Sequence, residues 1–194
     1  MIIIKIILVF IAGYLLGSLN FGVIISKIFY HDDIRKHGSK GAGATNMLRT
    51  YGKFPAFMTF FGDGLKAVVA VIIGAVLLEN IGAYIGGAAS VIGHAFPVYY
   101  KFRGGKSVAA AFFMALCTEP LAGLICFGIF LIVVACTKYI SLGSVIAVLI
   151  YPLVLYKITG YGLHNFIAVF IALLIVYLHR ENIKRLLTGS ENKI

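Results

Sequence analysis

A chain of 194 residues that is 61% hydrophobic and only 12% charged cannot cover its own surface with polar groups, since soluble domains carry about 25% charged residues. With a mean hydropathy of +1.00, it reads as an integral membrane protein with a single domain over residues 1–194, neither soluble nor disordered. Its net charge of +10 must then concentrate between spans, where basic clusters meet anionic headgroups or phosphorylated substrates; nucleic acid is the least fitting partner.

The first apolar stretch covers residues 2–29. It exceeds the roughly 7–15-residue core of a cleaved signal peptide and has no clear cleavage site, so it is expected to be a retained spanning helix. Further apolar segments cover 54–78, 81–97, 107–117, 121–136, 142–156 and 163–178. The 107–117 piece is short of the roughly 20 residues a span needs, so it either stands as a half-helix or merges with its neighbour. The expectation is an all-α, polytopic helical bundle of about seven transmembrane helices, with five full spans as the alternative.

Placing the N-terminus outside and alternating puts fourteen of the 17 cations on the inner side. These are Lys27, Arg35, Lys36, Lys40, Arg49, Lys53, Lys101, Arg103, Lys106, Lys138, Arg180, Lys184, Arg185 and Lys193; only Lys5 and Lys157 fall outside. The positive-inside rule then places the C-terminus in the cytoplasm. Asp63 and Lys66 are the only charges within a span, toward the inner end of the second. At i, i+3 they are read as a structural ion pair. Cys117, Cys126 and Cys136 lie in apolar stretches and read as small core residues.

Three inner segments carry the chemistry. The first runs from His37 to Arg49 and holds Gly38, Gly41 and Gly43, expected to adopt positive φ and present consecutive N–H groups to an anion. The helix after it would aim its N-terminus at the same anion. Thr45, Asn46 and Arg49 share one face of that helix by spacing. A flexible loop is the plainer alternative.

The second segment, Gly93 to Val108, ends in Gly104-Gly105-Lys106-Ser107. It imitates the end of a Walker A loop, but Tyr100 stands where the first glycine is required and no strand precedes it, so an ATPase is rejected. Two flexible glycines, a mobile cation and a helix start still make a phosphate cradle. His94 is open between a helix-end residue and a functional one. The third segment, His179 to Leu187, is expected to continue the last span as helix. It puts His179 and Asn182 on one face and pairs Glu181 with Arg185 at i, i+4. A basic helix on anionic lipid is the alternative. Ser141 and Ser144 open a span beside Lys138 and read as caps. Metal sites would need carboxylate or cysteine clusters, and a hydrolase a G-x-S-x-G elbow; the sequence has neither.

In this order and spacing the segments resemble the bacterial acyl-phosphate:glycerol-3-phosphate acyltransferases, the PlsY type. The resemblance runs from Tyr14-Leu15-Leu16-Gly17-Ser18 through Gly43-Ala44-Thr45-Asn46-x-x-Arg49. It continues through Gly93-His94-x-Phe96-Pro97 and Gly104-Gly105-Lys106, the Tyr139/Ser141/Ser144 segment, and His179-Arg180-Glu181-Asn182-Ile183. It implies a plasma-membrane enzyme with a cytoplasmic active site, no cofactor and no obligate protein partner. The implied reaction moves a fatty acyl group from acyl phosphate to the 1-hydroxyl of sn-glycerol 3-phosphate, giving lysophosphatidic acid and phosphate. A non-catalytic lipid-phosphate binder or small exporter on the same scaffold is the alternative.

By that resemblance His179, Lys106, Arg49 and Asn182 are catalytic, with His179 the general base unless a substrate phosphate takes the proton. Ser39, Gly43, Thr45, Asn46, Gly104, Gly105, Ser141 and Ser144 bind substrate, while Glu181, Asp63 and Lys66 are structural. The chain departs from the pattern at four positions: Lys40 stands for a usual Gly, Gly41 for Asn, Ser107 for Gly and Lys138 for Arg.

Overall fold

The computed structural model describes residues 1–194 and is helical throughout, with no strand. It divides into two compact units, Met1–Met114 and Ala115–Ile194.

In the first unit the opening apolar stretch is two helices and not the single one its composition suggests: α1 (Ile2–Gly17) and α2 (Phe21–Tyr30). Asn20 between them is extended, at φ −88° and ψ 106°. Apolar sequence gives no hint of this break, because the groups that hold it lie elsewhere. Lys66 Nζ donates to Leu19 O at 2.6 Å, and Asp63 Oδ1 accepts from Phe21 N at 3.2 Å. Two buried side chains thereby satisfy backbone groups that the interruption orphans.

After α3 (Ala44–Tyr51) comes α4 (Lys53–Ala95), 43 residues long. A straight helix of that length would measure about 65 Å, roughly twice the hydrocarbon core. It does not run straight. Leu78 (φ −143°, ψ 22°) and Glu79 (φ 53°, ψ −141°) break it, and the arms 53–77 and 80–95 fold back on each other. Their contact is almost backbone to backbone: a Cβ on Gly82 would collide with Gly74 O, and one on Gly86 with Ala70 O. α1 lies on the second arm in the same manner, a Cβ at Gly13 falling 2.6 Å from Gly86 O. Small residues at four-residue spacing (Gly13/Gly17, Gly82/Gly86/Ser90) thus let three helices meet where larger side chains would hold them apart.

Beneath the polar segments of this unit sits a compact core of Val23, Ile25, Ile34, Ala42, Met47 and Ala56, flanked by Phe21, Leu48, Tyr51 and Tyr100. Ile34 and Met47 are fully buried, so cutting either to Ala should cost about 2–5 kcal/mol. This core gives the glycine-rich loop a rigid floor.

α5 (Val108–Thr118) has eleven residues, about half a bilayer crossing. It does not merge with α6 (Pro120–Thr137), because Glu119 (φ −143°, ψ 84°) leaves the helix and Pro120 starts the next. The second unit continues with α7 (Ile140–Thr159), α8 (Leu163–Leu178) and α9 (Arg180–Leu187). The last two are bent by 59° at His179, so the tail does not simply prolong the span.

Four helical stretches are long and apolar enough to cross a membrane: Ile2–Tyr30, Lys53–Tyr100, Pro120–Thr137 and Ile140–Thr159; the bent pair makes up to five. Val76 at 79%, Phe54 at 74% and Leu153 at 67% exposure are side chains that lipid, not water, solvates.

Candidate active site

The loop before α3 is organised by one side chain. Asn46 is 2% exposed; the two hydrogens of its Nδ2 are shared among Ile34 O (3.1 Å), His37 O (3.0 Å) and Gly41 O (2.9 Å), and its Oδ1 accepts from Ser39 N (3.0 Å). The amide expected to touch substrate is therefore committed to the loop backbone. The glycines also act differently from the expectation. Gly38 is left-handed at φ +51°, but the other left-handed residue is Lys40 at φ +57°, while Gly43 is extended at φ −96° and ψ 169°.

Gly43 caps α3 without a side chain, and a Cβ there would meet nothing within 4 Å, so the helix start opens onto space. Asn46 N already donates to Gly43 O at 3.0 Å, while the N–H groups of Ala44 and Thr45 have no intrahelical acceptor and carry the positive end of the helix dipole. Ser39 and Lys40 are exposed beside them, Thr45 is half-buried, and Arg49 is exposed one turn further on. Hydroxyls, backbone donors and cations thus occur together along this one segment.

Asp32 and Asp33 flank this arrangement without entering it. Asp32 accepts from Asp33 N (2.7 Å) and Tyr51 Oη (2.9 Å) and pairs with His37, and the backbone hydrogen bond foremost lowers its pKa. Burial, then the bond to Asp32, lifts the Tyr51 hydroxyl to about 12.

The second glycine-rich segment is tied to the first by Arg35, a residue the motifs did not single out. Its guanidinium grips Asp33 at two points (Nε–Oδ1 2.9 Å, Nη2–Oδ2 2.6 Å) and donates through Nη1 to Tyr100 O (3.3 Å) and Arg103 O (3.2 Å). The Tyr100 ring lies 5.4 Å from the guanidinium and 5.7 Å from Lys27 Nζ, within cation–π range. Arg35 holds the Asp33 carboxyl down at about 2.

Gly104 and Gly105 are glycines for closeness, not for positive φ. A Cβ on Gly104 would collide with His94 O and one on Gly105 with His94 Nε2, while Gly105 N donates to His94 O at 3.1 Å. The left-handed residues here are Lys101 (φ 54°), Phe102 (φ 57°) and Ser107 (φ 62°). Ser107 is buried and donates to Val91 O at 2.8 Å. Lys106, half-buried between them, is carried on a fixed backbone.

His94 belongs to a buried cluster. Lys66 Nζ lies 2.9 Å from Asp63 Oδ1, 2.8 Å from His94 Nδ1 and 2.6 Å from Leu19 O. Three acceptors use all three ammonium hydrogens, so His94 accepts through Nδ1 as a neutral ring. The 3.3 Å approach of His94 Nδ1 to Asp63 is then a meeting of two acceptors, not an ion pair. Asp63 and Lys66 join the α1–α2 break to the helix that leads into the Gly-Gly-Lys loop.

In the second unit neither serine caps α7, whose N-cap is Tyr139 without a side-chain bond. Ser144 Oγ turns back to Ile140 O (2.9 Å), and Ser141 Oγ donates to Glu191 Oε1 (2.9 Å). His179 stands buried at the α8–α9 corner with Nδ1 2.8 Å from Ile175 O. Donation to that carbonyl puts the hydrogen of a neutral ring on Nδ1 and the lone pair on Nε2. Asn182 Nδ2 donates to Glu191 Oε1 (2.7 Å). The expected Glu181–Arg185 pair is replaced: Arg185 Nε bonds Glu191 Oε2 at 2.7 Å, and Glu181 is exposed. Glu191, near the chain end, was invisible to motif reading.

A family model described as Glycerol-3-phosphate acyltransferase matches residues 7–189. A glycerol-3-phosphate acyltransferase of Carboxydothermus hydrogenoformans is 41% identical over 97% of this chain and 96% of its own length. That of Clostridioides difficile is 42% identical over 97% and 95%. Among solved structures, the chain is similar to PlsY (YgiH), an integral membrane glycerol 3-phosphate acyltransferase, in its glycerol 3-phosphate form. The TM-score is 0.92 at 38% identity, covering 97% of this chain and 95% of that one. The lysophosphatidic acid form gives 0.88 at 36% identity.

Proposed function

The chain belongs to the glycerol-3-phosphate acyltransferase family, and from that premise we propose its reaction in detail. It is a multi-pass membrane acyltransferase that acylates glycerol 3-phosphate. The donor is acyl phosphate. The 1-hydroxyl oxygen attacks the acyl carbon, the carbon–oxygen bond to phosphate breaks, and phosphate leaves with the electron pair. The ester product is lysophosphatidic acid, the first acylated intermediate of phospholipid synthesis.

A mixed anhydride has a good leaving group, so catalysis consists chiefly of holding two anions together and directing one proton. In the first unit the α3 start, Ser39, Thr45 and the Gly104-Gly105-Lys106 loop supply donors and charge for phosphate, with Arg49 one turn along. In the second unit His179 takes the hydroxyl proton on Nε2 and passes it to the departing phosphate, while Asn182 and Ser144 serve glycerol 3-phosphate. Asn46, Asp63 and Lys66 position backbone. Three of the four departures from the family pattern, Lys40, Ser107 and Lys138, fall on left-handed residues. Lys40 and Ser107 put a side chain on a backbone that glycine would adopt without strain, and Arg49 and Lys106 are retained.

The single observation that carries this reading is the close match of nearly the whole chain to a structure described in a glycerol 3-phosphate form. The family model extends across both units, supporting one functional domain over 1–194. The bias of fourteen inner cations supports an outside N-terminus, a cytoplasmic site and insertion in the bacterial inner membrane. Counting the two arms of α4 separately and α5 as a short member gives seven membrane helices. The test is mass-spectrometric detection of 1-palmitoyl-glycerol 3-phosphate from purified protein, palmitoyl phosphate and glycerol 3-phosphate. Its absence with folded protein would refute the reaction.

A further inference from the structure

Glu191 lies outside every motif, yet its carboxylate is buried, with its side chain 2% exposed. Oε1 accepts from Ser141 Oγ (2.9 Å) and Asn182 Nδ2 (2.7 Å), and Oε2 accepts from Arg185 Nε (2.7 Å). The chain is built to bring it there. α9 ends at Leu187, and just beyond it Gly189 is left-handed at φ 68°, with Ser190 N bonded to Arg185 O at 2.8 Å. This reversal turns the tail back over the helix it has just left. Beyond Glu191, Ile194 N donates to Lys138 O (3.0 Å), and Lys193 Nζ lies 5.5 Å from the Tyr139 ring. The tail is docked along the start of α7.

The consequence falls on Asn182. An amide can rotate so that its oxygen and nitrogen exchange places, and only its partners decide between the two. Against a carboxylate the choice is forced, because the flipped form would set two acceptors face to face. Glu191 therefore fixes which end of Asn182 is carbonyl and which is amine, and so what that side chain offers a substrate. Burial, the largest influence on Glu191, raises its pKa, but the bonds from Asn182, Arg185 and Ser141 together outweigh it and keep the pKa below the usual value. The carboxylate is thus ionised throughout the neutral range.

Resting on the acyltransferase reading above, we infer that Glu191 is a positioning residue of the reaction, holding Asn182 and Ser141 in the orientation that receives glycerol 3-phosphate.

The test is steady-state kinetics of the full-length protein in detergent, with palmitoyl phosphate and glycerol 3-phosphate, for wild type, Glu191→Ala, Glu191→Gln, Asn182→Ala and the Asn182→Ala/Glu191→Ala double variant. Loss of a charge-assisted hydrogen bond predicts that Glu191→Ala raises the KM for glycerol 3-phosphate about tenfold, with the KM for palmitoyl phosphate unchanged. Glu191→Gln keeps an acceptor for Asn182 and Ser141, and should stay within about threefold of wild type. In the Asn182→Ala background, removing Glu191 should cost clearly less than in wild type, since much of its effect acts through that amide and only the part through Ser141 remains.

A wild-type KM in Glu191→Ala overturns the inference. So does a lowered KM, which would make the carboxylate a competitor of the substrate phosphate. Losses confined to kcat and equal in Ala and Gln would reduce Glu191 to tail docking and also overturn it. If Glu191→Ala does not fold, Glu191→Gln decides: a selective, small KM change supports the inference, and full loss opposes it. A folded wild type with no glycerol 3-phosphate-dependent turnover would instead refute the acyltransferase reading itself.

Discussion

Arg35 Nη1 lies 3.2 Å from the carbonyl oxygen of Arg103, so a side chain just ahead of the first glycine-rich loop holds the last residue before Gly104. The same nitrogen reaches Tyr100 O, and the rest of the guanidinium is locked on Asp33. One residue thereby sets the spacing of the two glycine-rich segments by reaching across 68 positions.

Arg35→Ala should lower kcat/KM about 10- to 100-fold, the range usual for residues that orient ligating groups, although Arg35 is given no contact with substrate. Arg35→Lys should rescue little, because an ammonium cannot grip a carboxylate at two points and two carbonyls at once. Kinetics of the two variants check this; a Lys variant at wild-type rate would show that only the charge matters.

The Asp33–Arg35 pair also predicts an acid dependence. The Asp33 pKa is depressed to about 2 in the folded chain, so its contribution to stability is present above its ordinary value near 3.8 and is lost as pH falls through about 2. Between pH 5 and 8 it should contribute no slope. Thermal unfolding in detergent at pH 5 and pH 3 should show a larger drop for wild type than for Asp33→Asn. Equal drops would contradict the pairing.

Asn46→Ala removes two donated hydrogens and the acceptor of Ser39 N, three bonds in all, and should destabilise by about 2–4 kcal/mol at roughly 1 kcal/mol per bond. Asn46→Asp should be no better, since a carboxylate cannot donate to Ile34, His37 and Gly41. Limited proteolysis within residues 37–43 checks it: a structural pin exposes the loop when removed, whereas a residue that only touched substrate would leave protection unchanged.

Lys40 and Ser107 make different predictions from the same backbone conformation. Left-handed φ costs a non-glycine residue roughly 1–2 kcal/mol, and Lys40 is exposed with no bond to lose, so Lys40→Gly should raise the melting temperature and keep activity. Ser107→Gly relieves the same strain but forfeits the buried bond to Val91 O, so it should be near neutral. Ser107→Ala keeps the strain and loses the bond, and should be the least stable of the three. Melting curves rank them.

These features divide by how far apart in the chain their causes lie. The helices themselves are legible because apolar runs are local, and Glu79-Asn80 marks the reversal inside α4 as a polar gap between two such runs. The break at Asn20 is not legible, since the residues that hold it, Asp63 and Lys66, are more than forty positions away and their partners are backbone atoms. Arg35 escapes notice for the same reason: backbone carbonyls carry no residue identity. The glycines were legible as constrained, but not the constraint. Gly104 and Gly105 make room for His94, and of the expected glycines only Gly38 is left-handed; the other left-handed positions fall to Lys40, Lys101, Phe102 and Ser107, whose side chains do not announce it. Glu191 acts from the chain end upon Ser141, fifty positions earlier.

The most direct test of the account is phosphate release from palmitoyl phosphate by the purified protein, with and without glycerol 3-phosphate. The account predicts release that depends on glycerol 3-phosphate and is lost in Lys106→Ala while that variant remains folded. Release indifferent to glycerol 3-phosphate, or no release from a folded wild type, would contradict it.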